Sequence, residues 1–207
     1  MAGWDQALFH SINGSWTAPA LDWLMTTLSR AGNSGAVWLA LLGAIAVFGG
    51  RTGRVVALAG LFALILGHGA SDVLKELTVR PRPLASALDA RLLVPRPSSY
   101  AFPSGHAASA FSAATGVVLV ARWSLKRVPF WGWGMLALAA AISYSRVYVG
   151  VHYPTDVLAG AGLGIACGWI GARCVAGLAS RTGRPGPPGK TGGHHEEDQE
   201  VQYRLGR

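Results

Sequence analysis

Long apolar runs are the feature that most limits what this chain can fold into. Each of five stretches approaches the ~20 residues that an α-helix needs to cross the hydrocarbon core of a bilayer, and tilt or local thinning accommodates the shorter ones. These stretches are residues 34–49, 55–74, 105–121, 130–148 and 156–179. We therefore predict an all-α fold, a polytopic transmembrane helix bundle.

Composition favours lipid over water as the surroundings of these helices. The chain is 51% hydrophobic and 14% charged, whereas about 25% charged residues are usual in a soluble domain. A soluble all-helical protein is the alternative, but its helices would carry polar faces that these runs lack.

The two ends of the chain differ from its apolar centre. Residues 1–30 place apolar side chains at helical spacing, interrupted by Asn13 and Pro19, which is typical of short amphipathic helices at a membrane surface. A sixth, weakly hydrophobic span there is the alternative, so we predict five to six spans. Residues 181–207 are rich in Gly and Pro and then polar, which predicts a disordered tail. Residues 31–180 would form the transmembrane domain.

The positive charge of the chain indicates an anionic partner. The formal charge is +8, and the first 180 residues hold 13 cations but only six acids. Nucleic acid is the usual partner of such a balance, but these cations lie at the ends of apolar runs. That placement favours membrane orientation and an anionic substrate, so we predict a bilayer and a lipid as partners, no nucleic acid and no obligatory protein partner.

Polar residues within or beside membrane spans are costly and are therefore candidates for function. They form three clusters: KELTVRPRP (75–83), PSGH (103–106) and SRVYVGVHYPTD (145–156). Because successive spans cross in alternating directions, the end of the second, the start of the third, the end of the fourth and the start of the fifth all lie on one side. The three clusters should therefore share a surface.

The cations of these clusters predict a phosphate site. Lys75, Arg82 and Arg146 together would hold an anion, and guanidinium groups match phosphate oxygens especially well. Ser104 can cap the helix that follows it, whose free N–H groups would face the same anion. Gly105 would let that backbone approach closely.

Two histidines could supply the reactivity. His152 lies four residues before Asp156, which can fix the tautomer of its ring and leave the other nitrogen free to attack phosphorus. His106, from another helix, can protonate the departing oxygen and later activate water. Pro154 suits the first position of the last helix. A Zn²⁺ site is the alternative reading, but the neighbouring cations would repel a metal ion, so we predict metal-independent activity and no cofactor.

This three-part pattern resembles the signature of the type 2 phosphatidic-acid phosphatase superfamily. The likeness covers about residues 55–175, with all three parts in order and at the family's spacing. It implies that His152 is a nucleophile forming a phosphohistidine, that Asp156 supports it and that His106 is the acid and base. It also implies the phosphate ligands, which are Lys75, Arg82, Ser104, Gly105 and Arg146.

Several other polar residues have plainer interpretations. His68 and Asp72 share a helix face with Lys75, and we interpret them as structural pairing inside the bundle, with a role in tuning the site as the minority view. Arg80 and Arg91 read as interfacial anchors, although Arg80 could add to the field of the site. Three tyrosines are assigned to an interfacial aromatic layer: Tyr100, Tyr148 and Tyr153.

Lys and Arg are somewhat more numerous around the basic turns RTGR (51–54) and RWSLKR (122–127) than on the side of the clusters. This bias predicts a cytoplasmic tail and a site that faces the extracytoplasmic side. The resemblance to small bacterial family members suggests undecaprenyl diphosphate as substrate. The alternatives are phosphatidylglycerol phosphate or phosphatidic acid, and a lipid-to-lipid phosphotransferase. A vanadium haloperoxidase shares the signature but is soluble, and a lipid transporter would not need the His152–Asp156 pair.

Overall fold

The computed structural model describes residues 3–83 and 90–181, and this part of the chain is all-helical. The tail predicted for residues 181–207 lies outside the described residues, apart from Arg181. Two short helical turns, Ser11–Ser15 and Asn33–Gly35, join the first three helices. The helices fully within the described residues are α1 Gly3–His10, α2 Pro19–Ala31, α3 Ala36–Phe48, α4 Gly50–Thr78, α5 Gly105–Leu125, α6 Phe130–Tyr148 and α7 Pro154–Arg181.

Helix α5 lies at the centre of the bundle and packs against α4, α6 and α7. Its buried face consists mainly of alanine, serine and valine, and Ala107, Ala113 and Val117 are fully buried. Small side chains allow the neighbouring helices to come close. The core beside this helix also contains Trp38 of α3 and Ile142 of α6.

The glycines of α7, which are spaced four residues apart, fit directly against α5. A Cβ atom on Gly160 would lie 2.5 Å from the carbonyl oxygen of Ser104, and one on Gly164 would lie 2.5 Å from that of Ala108. Because these obstacles are backbone atoms, they cannot move aside. The N-terminal half of α7 is therefore held against the start of α5.

Three of the described helices are long and apolar enough to cross a membrane: α4, α5 and α7. A fourth candidate consists of α2 and α3 together, which are bent by 65° at the break between them. Helix α3 has only 13 residues, about 20 Å of helix, so the apolar run 34–49 does not form a straight span by itself. The predicted count of five to six spans is therefore not confirmed.

The N-terminal segment, residues 3–35, is joined to the rest of the chain by buried polar contacts. The side-chain amide of Asn13 donates to the carbonyl oxygens of Arg91 and Tyr148 at 2.8 and 2.7 Å. Arg91 binds Asp22 through two hydrogen bonds of 2.8 and 3.0 Å. Arg91, which the sequence suggested as an interfacial anchor, is thus held by a carboxylate on α2.

Two of the three tyrosines assigned to an interfacial layer are instead buried. Tyr148 and Tyr153 are each 1% exposed and pack with Phe9 of α1. The hydroxyl group of Tyr148 donates to Asp22. These rings lie beneath the N-terminal segment. The hydropathy of the sequence around them could not indicate that the segment covers them.

Replacing Gly164 should test the close contact between α5 and α7. We expect Gly164→Ala to destabilise the protein by about 1–3 kcal/mol because the added methyl group overlaps a carbonyl oxygen. Thermal unfolding in detergent measures the effect. Gly162→Ala is the matched control, because no heavy atom lies within 4 Å of a Cβ atom there. Equal unfolding temperatures for the two variants would contradict this packing.

Candidate active site

The three polar clusters meet in one cavity of about 90 Å³ at the end of the bundle where α5 and α7 begin. One water molecule needs roughly 10–15 Å³, so the cavity has room for a phosphate-sized anion. Six of the eight predicted site residues line it: Lys75, Arg82, Gly105, His106, Arg146 and His152. The expectation that the clusters share a surface is met.

Three cations are buried around this cavity. Lys75, Arg82 and Arg146 are 8%, 8% and 5% exposed. Burial lowers the pKa of Arg82 to about 10, because a charged guanidinium loses its hydration there. Arg146 donates to the hydroxyl group of Ser29, and its Nε atom has no hydrogen-bond partner among the described residues.

The guanidinium of Arg82 is held in a fixed orientation by the loop before α5. It donates to the carbonyl oxygens of Ser99 at 2.8 Å and Tyr100 at 3.2 Å, and to that of Val151 at 2.8 Å. Its Nη1 atom also lies 3.2 Å from Nε2 of His152. Because arginine only donates hydrogen bonds, Nε2 accepts here and the neutral ring carries its proton on Nδ1.

The ring of His152 therefore directs an unprotonated nitrogen towards Arg82 and the cavity. Its Nδ1 atom lies 3.5 Å from Oδ2 of Asp156, longer than an ordinary hydrogen bond. Burial, followed by the charges of Arg82, Arg146 and Lys75, holds the pKa of His152 well below its ordinary value. The imidazole is thus kept neutral, which is the form that can attack phosphorus.

Asp156 lies behind His152 and does not line the cavity. Its Oδ2 atom accepts a hydrogen bond of 2.9 Å from the backbone N–H of Tyr153, and its Oδ1 atom accepts one of 2.6 Å from Arg80. Its main-chain carbonyl accepts from the N–H of Ser104. Asp156 therefore links the start of α7 to the start of α5.

Ser104 and Gly105 mark the start of α5. Ser104 occupies the N-cap position as predicted, but its hydroxyl group makes no capping hydrogen bond and has no partner among the described residues. It is fully buried and does not line the cavity. A Cβ atom on Gly105 would lie 2.9 Å from Nζ of Lys75, so glycine permits the lysine to reach the first turn of the helix.

His106 is held by the turn between α2 and α3, at the C-terminal end of the N-terminal segment. Its Nε2 atom lies 3.0 Å from Oδ1 of Asn33. A Cβ atom on Gly32 would lie 2.8 Å from the ring. The bend between α2 and α3 therefore surrounds this imidazole, and no feature of the three motifs could have indicated it.

Arg80 belongs to the site and is not a membrane anchor. It donates to Asp156, to Oγ1 of Thr155 at 2.8 Å and to Oδ2 of Asp5 at 2.8 Å. Asp5 is buried, and burial opposes its ionisation, but hydrogen bonds from Thr155 and Arg80 outweigh burial and lower its pKa. Asp5 of α1 thus holds Arg80 in place, and Arg80 in turn holds Asp156. The only sequence signal was the position of Arg80 two residues before Arg82.

The all-helical, multi-pass fold and the cationic cavity with its histidines are typical of a membrane phosphatase. The chain matches the PAP2 superfamily over residues 56–179, which is more than half of its length, and it belongs to that family. The resemblance seen in the sequence is therefore confirmed.

Relatives of the chain carry phosphatase names. It is 34% identical over 171 residues to the undecaprenyl-diphosphatase of Sulfolobus acidocaldarius, covering 81% of this chain and 75% of that one. It is 37% identical over 145 residues to the decaprenylphosphoryl-5-phosphoribose phosphatase of Mycobacterium tuberculosis, covering 69% and 74%. The crystal structure of Aquifex aeolicus LpxE superposes with a TM-score of 0.70 at 32% identity, covering 83% and 96%.

Removing the guanidinium of Arg80 should lower activity through Asp156. We expect Arg80→Ala to reduce kcat for phosphate release roughly 10- to 100-fold, because a buried carboxylate loses a charged hydrogen bond. KM should change little, since Arg80 does not line the cavity. Arg80→Lys should restore part of the rate, and Arg30→Ala, at an exposed position, is the control. A pure KM effect would contradict this role.

The neutral state of His152 should be visible in the pH dependence of stability. The unfolded chain binds the proton with the ordinary histidine pKa of about 6.5, whereas the folded chain resists it. Stability is therefore lost as the pH falls below about 6.5, by up to ~1.4 kcal/mol per pH unit. We expect the unfolding temperature of His152→Gln to fall less than that of the wild type between pH ~7.5 and ~5.5. Parallel curves would contradict the assignment.

Proposed function

We propose that the protein hydrolyses a lipid diphosphate at the extracytoplasmic membrane surface, with undecaprenyl diphosphate as its substrate. It would release inorganic phosphate and undecaprenyl phosphate. One observation carries the proposal, namely that three buried cations and the imidazoles of His106 and His152 line the same phosphate-sized cavity. The relative named undecaprenyl-diphosphatase supports the choice of lipid.

The reaction proceeds in two steps that share one phosphoryl position. Nε2 of His152 attacks the terminal phosphorus, the N–P bond forms, and the bridging P–O bond breaks as His106 protonates the leaving oxygen. His106 then takes a proton from water, whose oxygen bonds to phosphorus while the N–P bond breaks. One water is consumed, and one phosphate leaves together with the lipid product.

The cations supply the electrostatic part of catalysis. Lys75, Arg82 and Arg146 would neutralise the phosphoryl oxygens, and the N–H groups of the first turn of α5, from Gly105 onward, would add fixed dipoles. The Ser104 hydroxyl, which has no partner among the described residues, lies behind the first turn of α5 and would join the ligand set only by turning towards the phosphate. Because three positive side chains already perform the task of a divalent ion, the reaction needs no metal.

The path of the chain supports five membrane crossings. Helix α5 leaves the site and α7 begins at it, since Ser104 and Asp156 are hydrogen-bonded, so α6 must return across the bundle. Likewise, α3 starts beside His106 and leads to the far end, where α4 begins. With the basic turns in the cytoplasm, the site opens outward, and the tail that follows α7 is cytoplasmic.

A phosphatase for phosphatidylglycerol phosphate or phosphatidic acid is the second candidate, because the same cavity would hold a monoester. A lipid-to-lipid phosphotransferase would use the same residues. Adding an alcohol-bearing acceptor lipid separates these reactions, since hydrolysis delivers the phosphate to water and transfer delivers it to the acceptor.

The proposal predicts phosphate release that continues in EDTA and depends on His152. We expect His152→Ala to lose at least about 1,000-fold in kcat, as is usual when a nucleophile is removed. His10→Ala, an exposed histidine of α1, is the matched control. Acid-labile phosphate on the wild-type protein after a rapid quench would identify the intermediate. Complete dependence on added Mg²⁺, or unchanged release by His152→Ala, would refute the proposal.

A further inference from the structure

The cavity continues beyond the motif residues, towards the interior of the bundle. His68 of α4 and Ser109 of α5 also line it, and Nδ1 of His68 lies 3.2 Å from the hydroxyl oxygen of Ser109. His68 is seven residues before Lys75, and Ser109 is three residues after His106. Residues at these spacings share a helix face, so the two side chains form a second level of the cavity below the phosphate site.

This second level lies at membrane depth. His68 precedes the end of α4 at Thr78 by ten residues, which corresponds to about 15 Å along the helix. The side chains of His68 and Asp72 are 59% and 53% exposed. Ionisable groups on a membrane-spanning helix are costly and usually mark the path of a polar ligand. The two side chains do pair on one helix face, with Asp72 also bound to Lys75, but their exposure shows that the pair does not lie inside the bundle.

The arrangement of donors here suits an anion. Asp72 bridges two cation-forming groups, since its Oδ1 atom accepts from Lys75 at 2.7 Å and its Oδ2 atom lies 3.4 Å from Nε2 of His68. A protonated imidazole donates from both nitrogens. In that form Nε2 faces Asp72, and Nδ1 presents its N–H beside the hydroxyl of Ser109. Asp72 lies on the Nε2 side of the ring, away from Nδ1, and forms an ion pair with Lys75.

The position of this donor pair identifies the part of the substrate that would reach it. His106 protonates the leaving oxygen in the proposed reaction, and Ser109 follows it by one turn of α5. Whatever remains attached to the leaving oxygen therefore extends past Ser109 and His68 towards the lipid. In a monophosphate ester this is an alkyl or glycerol carbon, which cannot accept a hydrogen bond from the imidazole or the hydroxyl group. In a diphosphate it is the second phosphate.

We propose that His68 and Ser109 form a subsite for the lipid-proximal phosphate of a lipid diphosphate. The inference rests on the proposed phosphatase reaction and deepens it by naming the substrate class. The terminal phosphoryl group passes to His152, while the second phosphate stays on the lipid and takes hydrogen bonds from Nδ1 of His68 and the Ser109 hydroxyl. These bonds hold the leaving group in line and stabilise the charge that it gains.

Paired substrates test the subsite. A polyprenyl diphosphate and a polyprenyl monophosphate with the same lipid chain are compared in detergent, using wild type, His68→Ala and Ser109→Ala. Loss of a charge-assisted hydrogen bond should lower kcat/KM for the diphosphate roughly 10- to 100-fold, and that for the monophosphate less than about 3-fold. His10→Ala should leave both unchanged, and thermal unfolding shows that each variant is folded.

Inorganic anions provide a second readout that needs no lipid. Pyrophosphate should inhibit the wild type more strongly than phosphate does, and His68→Ala should remove most of that difference. Equal losses on the two lipid substrates, no loss on the diphosphate, or an equal loss on a lipid glycerol phosphate would overturn the subsite. A wild type that hydrolyses only monophosphates would overturn it while leaving the phosphatase intact. A wild type that releases phosphate from neither substrate would refute the proposed function itself.

Discussion

The structure is organised around three buried cations that repel one another. Lys75, Arg82 and Arg146 surround one small cavity and have little access to water. Such charges weaken a fold unless hydrogen bonds and rigid surroundings hold them. Carbonyl oxygens of the loop before α5 hold Arg82, and a hydroxyl of α2 contacts Arg146. An anion bound among these cations would relieve the repulsion, which favours anion binding at this site.

Two parts of the chain share the task of maintaining this site. The region that matches the PAP2 superfamily, residues 56–179, supplies every residue of the three motifs. The N-terminal segment supplies the groups that hold those residues: Asp5 contacts Arg80, Ser29 contacts Arg146 and Asn33 contacts His106. The segment is therefore part of the active site structurally, even though it lies outside the matched region.

The motif positions could be predicted because their chemistry is local and their spacing is strict. Helix α5 begins at Gly105 and α7 at Pro154, as the sequence indicates, and the alternation of helix directions brings the three clusters together. The bend between α2 and α3 could not be foreseen, because hydropathy reports how apolar a run is and not whether it is straight. Arg80 was misassigned for a related reason. An arginine near a helix end looks the same whether it faces headgroups or, as here, two carboxylates that are distant in sequence.

The contacts of Asp5 have a consequence for how the protein is made. Its partner Thr155 lies 150 residues later in the chain, beyond every apolar helix except α7. During synthesis the N-terminal segment leaves the ribosome first, but its buried carboxylate cannot be satisfied until the last helix has entered the membrane. Until then Asp5 must stay hydrated. Assembly of the catalytic centre is therefore the closing event of biogenesis, and a chain stalled before α7 would hold a cluster of cations but no completed site.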